Sequence, residues 1–197
     1  MLLMARPKEF DRDEALGRAL DLFWEKGYEA TSVQDLVERT GVQRQSLYDT
    51  FGDKHALYLA ALQRYALGAD AWAARIAKPP ASPLAHLKAT FMDVAEESAE
   101  SCRGCMVMNA AAERGGQDAA VDACVQTNLV KMEQGVAALI RLAQKAGEVP
   151  KRVSPTGAAR TLVTLVWGMR ALAKSHPDRA WMRSVVEHAV GSLATAS

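Results

Sequence analysis

Residues 31–51, TSVQDLVERTGVQRQSLYDTF, hold two short amphipathic segments on either side of a single glycine, and their spacing decides how the rest of the chain is read. The first is expected to start a helix after Thr31, whose hydroxyl can accept from an otherwise unpaired amide, with Val33, Leu36 and Val37 on one face. Gly41 ends it, because glycine takes the left-handed conformation that terminates helices, and Val42 fills the space beneath the turn. A second helix then runs from Gln43 through Phe51. Leu47 and Phe51, four positions apart, face inward and leave Arg44, Gln45, Ser46, Tyr48 and Asp49 largely outward. Helices joined this way form a helix-turn-helix, whose second helix puts its N-terminal side chains into the DNA major groove. Arg44 can donate two bonds to guanine, Gln45 can pair with adenine through two bonds, and Ser46 can donate or accept. Tyr48 and Lys54 suit phosphates. Such pairs also occur as ordinary packing, so a helical interaction protein without DNA binding is the competing reading of this stretch taken alone.

The flanks add specificity. A first helix carries Ala15, Ala19 and Phe23 and leaves through Lys26-Gly27-Tyr28; the Thr31-Ser32 pair, the Gly41-Val42 turn, and Ser46-Leu47-Tyr48 followed by Phe51, Asp53 and Lys54 come after it. On these motifs, residues Arg6 to Asp53 resemble the DNA-binding segment of the tetracycline-repressor (TetR) family nearly end to end. Beyond it the chain resembles the family in helical character, in length and in a Gly104-Cys105 to Asn109 segment that some members share. The resemblance implies that Arg44, Gln45 and Ser46 approach bases while Thr31, Tyr48 and Lys54 grip phosphates. It also implies repression rather than activation. Many members carry serine where Gln43 stands, so this helix start is capped less well and Gln43 is free to reach outward to DNA. Arg6 and Lys8 precede the first helix and suit a neighbouring groove or a solvated tail equally.

Charge placement restricts this reading. Residues 1–65 contain nine Lys or Arg against eleven Asp or Glu, and the whole chain carries a formal net charge of +1. A domain with that balance is not a general polyanion binder. Its DNA affinity must come from a few placed cations and helix N-terminal amides, with Asp11, Asp13, Glu25 and Glu29 turned away. Two copies on one inverted repeat would double those few contacts, which favours a paired-site reader.

The chain has 197 residues, so about 140 follow the reader, enough for one more helical core. Alternating β-branched segments are missing, prolines sit at plausible helix boundaries, and an all-α protein is expected. The domains are taken as 1–53, a three-helix DNA-binding unit, and 54–197, a helical effector-binding and dimerisation unit entered by a long helix that Asp53 caps. Tyr58, Leu62, Tyr65, Ala69, Trp72 and Ile76 stripe that helix. After Lys78-Pro79-Pro80-Ala81-Ser82-Pro83, helices are expected over 84–100, 106–113, 118–146, 156–175 and 178–194. Leu87, Phe91 and Val94 point inward from the first of these. The last pair is expected to set Leu162, Leu165, Val166, Met169 and Leu172 against Trp181, Val185, Val186, Val190 and Leu193. Its apolar surplus suits a homodimer through 156–175 and 178–194.

Trp72, Phe91, Met106, Met108, Asn109, Met132 and Trp167, from five helices, together with Cys105, are the candidates for a small-molecule effector site, with Asn109 as its polar member; for each apolar side chain taken singly, core packing is the stronger reading. Cys102 and Cys105 form a CxxC pair near a helix start, where amides and a neighbouring cation favour thiolate, so a redox- or electrophile-sensing regulator is an alternative. No metal site is expected, since Cys124 is the only other thiol and no histidine lies at ligand spacing. His55, His86, His176 and His188 are scattered and no phosphate loop occurs, so neither an enzyme nor a cofactor is expected. No signal segment or membrane span is read, which places the expected protein in the cytoplasm; Met1-Leu2-Leu3-Met4 leaves Met4 as an alternative start.

Overall fold

The computed structural model describes residues 10–76 and 81–195. Arg6, Lys8, the alternative start and the break at 78–80 lie outside them, as does the side chain of Ala69. Helices in the described residues are α1 (Arg12–Lys26), α2 (Val33–Thr40), α3 (Arg44–Phe51), α4 (Lys54–Ile76), α5 (Pro83–Ser101), α6 (Met106–Arg114), α7 (Ala119–Lys145), α8 (Pro155–Leu172) and α9 (Arg179–Thr195). The fold is all-α, as expected, and no helix among the described residues is long and apolar enough to cross a membrane.

Two compact units divide the chain at Arg64/Tyr65, inside α4 rather than at its start. The expected boundary at 53/54 lies at the start of α4, ahead of that division. Leu57, Tyr58, Ala61 and Leu62 on the first turns of α4 are buried, and the Tyr58 ring meets Phe23 of α1 edge-on at 5.1 Å. The first unit thus closes its small core with the beginning of a helix that continues into the second.

In the first unit, Asp11 caps α1 by accepting from the amides of Asp13 and Glu14 at 2.8 and 3.1 Å. The start of α2 differs from expectation: Ser32, not Thr31, is its cap. Ser32 Oγ accepts from Asp35 N at 3.0 Å while the Asp35 carboxylate accepts from Ser32 N at 2.8 Å, a reciprocal capping box that leaves no need for Thr31. The hydrogen bond from Lys26 first, and then those from Ser32, hold the Asp35 carboxyl well below the usual carboxylate range. A carboxylate with a depressed folded-state pKa stabilises the fold above its unfolded value, about pH 4, and the contribution fades as pH falls through the folded value. Asp35→Asn is therefore expected to flatten the acid limb of a stability-against-pH curve below about pH 4, read by chemical denaturation; an unchanged limb would refute the assignment. Ser32→Ala is expected to cost about 1 kcal/mol by the same measurement at neutral pH.

The turn follows the expected route. Gly41 adopts φ 72° and its amide donates to Val37 O at 2.9 Å, while Val42 is buried beneath it. Arg18 of α1 donates to Thr40 O at 3.2 Å, and Arg39 pairs with Glu25 at 2.7 Å, so α1 holds the end of α2 that enters the turn. Asp53 caps α4, its carboxylate accepting from Ala56 N at 2.7 Å.

In the second unit, Leu87, Phe91 and Val94 of α5 are buried as expected, in a core shared with α7, α8 and α9. The expected facing of α8 and α9 is corrected. Helix α8 packs chiefly on α7 and α9 chiefly on α5, with a narrow contact between the pair. Ion pairs Arg179–Glu100 and Arg183–Glu96, at 2.9 and 2.8 Å, run along the α5–α9 seam. Leu172 and Trp181, placed inward by the sequence reading, are 48% and 37% exposed, because Leu162, Val163, Val166 and Met169 on α8 and Met182, Val186, Val190 and Leu193 on α9 already fill the core. On α7 the buried positions include Val121, Asn128, Val136, Leu139 and Ile140, whereas Val125, Leu129, Met132 and Leu142 are half-buried.

Candidate functional site

Helix α3 is fixed from beneath and free above. Leu47 is fully buried against the unit core, and Gln43, Arg44, Gln45 and Asp49 are exposed, with Ser46, Tyr48 and Phe51 half-buried. The Gln43 side chain makes no capping bond, so the amides of the first turn and the Gln43 side chain stay open to an outside acceptor. The Arg44 guanidinium lies 5.6 Å from the Tyr48 ring centroid, a cation–π contact that keeps it extended along the exposed face. Gln45 Nε2 donates to Asp49 Oδ1 at 2.8 Å, one turn on. Lys54 Nζ sits 4.3 Å above the Tyr28 ring, held close to the end of α3 rather than swinging in solvent.

Six of the seven residues picked for DNA contact, Gln43, Arg44, Gln45, Ser46, Tyr48 and Lys54, lie on α3 or beside its ends with at least partial exposure. Thr31 does not join them. It is 0% exposed, and its hydroxyl donates to Gly27 O at 2.6 Å, so it braces the turn before α2 and has no surface to offer a phosphate. Missed in the sequence was Ser32, whose exposed position at the α2 start places it and the capped amides at the helix N-terminus, where an anion is favoured. The Ser-x-x-Asp spacing of a capping box was the available signal.

The effector candidates separate into two groups. Trp72, Phe91, Met132 and Trp167 belong to one apolar cluster, with Trp72 and Phe91 ring centroids 6.2 Å apart and, among the described residues, no hydrogen-bond partner for Trp72 Nε1. Cys105 and Met106 are buried at the start of α6, and Met108 and Asn109 are half-buried. Asn109 Nδ2 donates to Arg103 O at 3.3 Å, so its amide is at least partly committed to the loop that precedes α6. Asn128, 5% exposed on the inward face of α7, is a polar member of this interior that the sequence reading passed over; it stands seven positions after Val121 and shares its face.

A second polar centre forms around Cys105. The Tyr65 phenol oxygen accepts from Arg170 Nη1 at 3.2 Å, Arg170 Nη2 pairs with Glu97 at 2.9 Å, and Cys105 and the Met106 amide lie against the same phenol. Burial, then Cys105, pushes the Tyr65 phenol well above its ordinary value, with Arg170 opposing, so it stays protonated. Gly104, at φ 73°, brings the chain so close to α8 that a Cβ there would stand 3.2 Å from Arg170 O. The CxxC pair is unequal: Cys102 is exposed at the left-handed end of α5, whereas Cys105 is 6% exposed. Burial pushes the Cys124 thiol up, which makes it a weak nucleophile.

Profiles of known families match both units. "Bacterial regulatory proteins, tetR family" matches residues 15–61, and "Tetracyclin repressor-like, C-terminal domain" matches residues 80–189. The HTH-type transcriptional repressor ComR of Escherichia coli K12 is 32% identical over 176 residues, covering 86% of this chain and 82% of ComR. The HTH-type transcriptional regulator YezE of Bacillus subtilis 168 is 38% identical over 117 residues, 56% of this chain and 58% of YezE. Among solved structures, a cysteine variant of the TetR-family regulator CifR, complexed with 26-bp double-strand operator DNA, superposes with TM-score 0.84 at 26% identity, covering 96% of this chain and 100% of that one.

Proposed function

Because the chain belongs to the tetR family of bacterial regulatory proteins, and so is a DNA-binding transcriptional regulator, we propose that it is a repressor that binds an inverted-repeat operator as a homodimer and leaves it on binding a small-molecule effector. The observation that carries this reading is the exposed start of α3. Arg44 and Gln45 stand clear of the core on a helix that Leu47 anchors, and the uncapped first turn adds free amides. Arg44, Gln45 and Ser46 read bases, while Tyr48, Lys54, Gln43 and the α2 start meet phosphates. ComR, a repressor, and CifR, seen on operator DNA, support the same assignment.

The dimer is formed by α8 and α9. Their outer surface offers Leu172 and Trp181 exposed, Leu165 and Val185 half-buried, and room for a Cβ at Gly168 and Gly191, a surface that two copies bury as four helices. The effector binds in the second unit beside Trp72, Phe91, Met132 and Trp167. It shifts the population of α4 orientations, since α4 supplies residues to both units, and so changes the separation of the two recognition helices.

Selection of bound sequences from random duplexes with the full-length protein tests the reading: an inverted repeat is expected, and no enrichment would end it. Lys54→Ala is expected to reduce the slope of log affinity against log salt by about one per subunit on the selected duplex. An unchanged slope would remove Lys54 from the phosphate contacts.

A second reading, thiol sensing, is favoured by the contact of Cys105 with the phenol of half-buried Tyr65, since modification of that sulfur would displace a group packed between α4, α6 and α8. Oxidant-induced release from DNA is then expected to disappear in Cys105→Ser and to persist in Cys124→Ser. Release that survives in Cys105→Ser rules this reading out.

A further inference from the structure

We propose that Asp49 is a positioning residue that fixes the side-chain amide of Gln45 for adenine in the major groove, an inference that rests on the reading of DNA by α3. Gln45 Nε2 donates to Asp49 Oδ1 at 2.8 Å on the exposed face of the recognition helix. An ionised carboxylate only accepts, so the amide nitrogen, not its oxygen, must face Asp49, and chemistry sets the orientation of the amide. That nitrogen carries two hydrogens, one on the side of the carbonyl oxygen and one directed away from it. Adenine is read by the carbonyl oxygen, which accepts from N6, together with the hydrogen on the same side, which donates to N7. The other hydrogen has no role at the base. Giving it to Asp49 leaves the whole reading edge available and removes rotamer freedom that Gln45 would otherwise lose on binding.

The same pairing occurs away from α3, where Gln34 Nε2 donates to Glu38 Oε1 at 2.9 Å on α2. There the i,i+4 bond supports only the helix. On α3 it has a second consequence, because a carboxylate close to phosphates weakens binding to every sequence alike. A group that lowers general affinity while ordering a base-reading side chain raises the ratio of specific to nonspecific binding. Asp49 belongs to a unit whose acidic residues already outnumber its basic ones, so recognition there depends on that ratio.

The test uses the full-length protein, the selected duplex and its single-base variants, with affinities read by fluorescence anisotropy. Asp49→Ala is expected to bind unrelated duplex more tightly, while its preference for adenine at one position of each half-site falls by roughly two- to tenfold, the equivalent of ordering one rotamer-rich side chain. Asp49→Asn, whose amide oxygen still accepts from Gln45, keeps that preference while sharing the tighter nonspecific binding. In a Gln45→Ala background, adding Asp49→Ala changes the preference no further. Glu38→Ala leaves all base preferences in place. An Asp49→Ala protein that keeps its adenine preference, or loses preference equally at every position, overturns the proposal. So do additive effects in the double variant. Wild-type protein that selects no sequence refutes DNA reading by α3 and this inference with it. Wild-type protein that selects a sequence in which Gln45→Ala alters no base preference refutes this inference alone.

Discussion

Arg44→Ala is expected to lower affinity for the selected operator by about 1–3 kcal/mol per half-site, the worth of one good bidentate base contact. Two half-sites in one dimer compound that loss. The fold has little stake in the residue: Arg44 is exposed, and its contact inside the protein is the ring of Tyr48 at 5.6 Å. Thermal unfolding should therefore stay where it is while DNA retention falls. Preference for one base pair should relax at the same time, because the guanidinium fork is lost from a base edge rather than from a phosphate. If specific and nonspecific affinities fell together with the base preferences intact, Arg44 would be a phosphate contact, and the assignment of the α3 start to bases would be wrong.

Leu47→Ala is expected to have the largest effect on folding. The side chain is fully buried under α3, and truncating a buried leucine costs about 2–5 kcal/mol, depending on how far the cavity collapses. A unit of this size has little stability to spare. The second unit has its own core, built from α5, α7, α8 and α9, and does not share Leu47. Amide exchange in Leu47→Ala should accordingly rise across 11–64 while protection persists across 83–195. Uniform loss of protection over both ranges would show that the two units unfold as one.

The reader was legible because local rules dictate it. Gly41 at φ 72°, buried Val42 and Leu47, and exposed Arg44 and Gln45 all stand where spacing and residue chemistry place them. Thr31 and Ser32 were read in the wrong order because both hydroxyls can cap a helix. Only the reciprocal bond with Asp35, and the burial that turns Thr31 toward Gly27, separates them. In the second unit the helix positions follow from prolines, caps and period, but partner choice does not. Sequence neighbours α8 and α9 were expected to face each other, whereas α8 packs mainly on the preceding α7 and α9 mainly on α5, which is distant in sequence. Apolar period identifies a buried face without saying what covers it, which is how Leu172 and Trp181 came to be placed inward. The Tyr65, Cys105 and Arg170 centre was similarly hidden, since residues so far apart in sequence meet only through tertiary packing.

The central claim is that two copies of α3 read successive major grooves of one operator. Inserting about five base pairs between the half-sites of the selected duplex turns one half-site by half a helical turn without removing any base or phosphate contact. Full-length protein is expected to lose its specific affinity for that duplex and to regain a large part of it when about ten base pairs are inserted. Affinity indifferent to the insertion would mean that each copy binds alone, and would contradict the paired-site account.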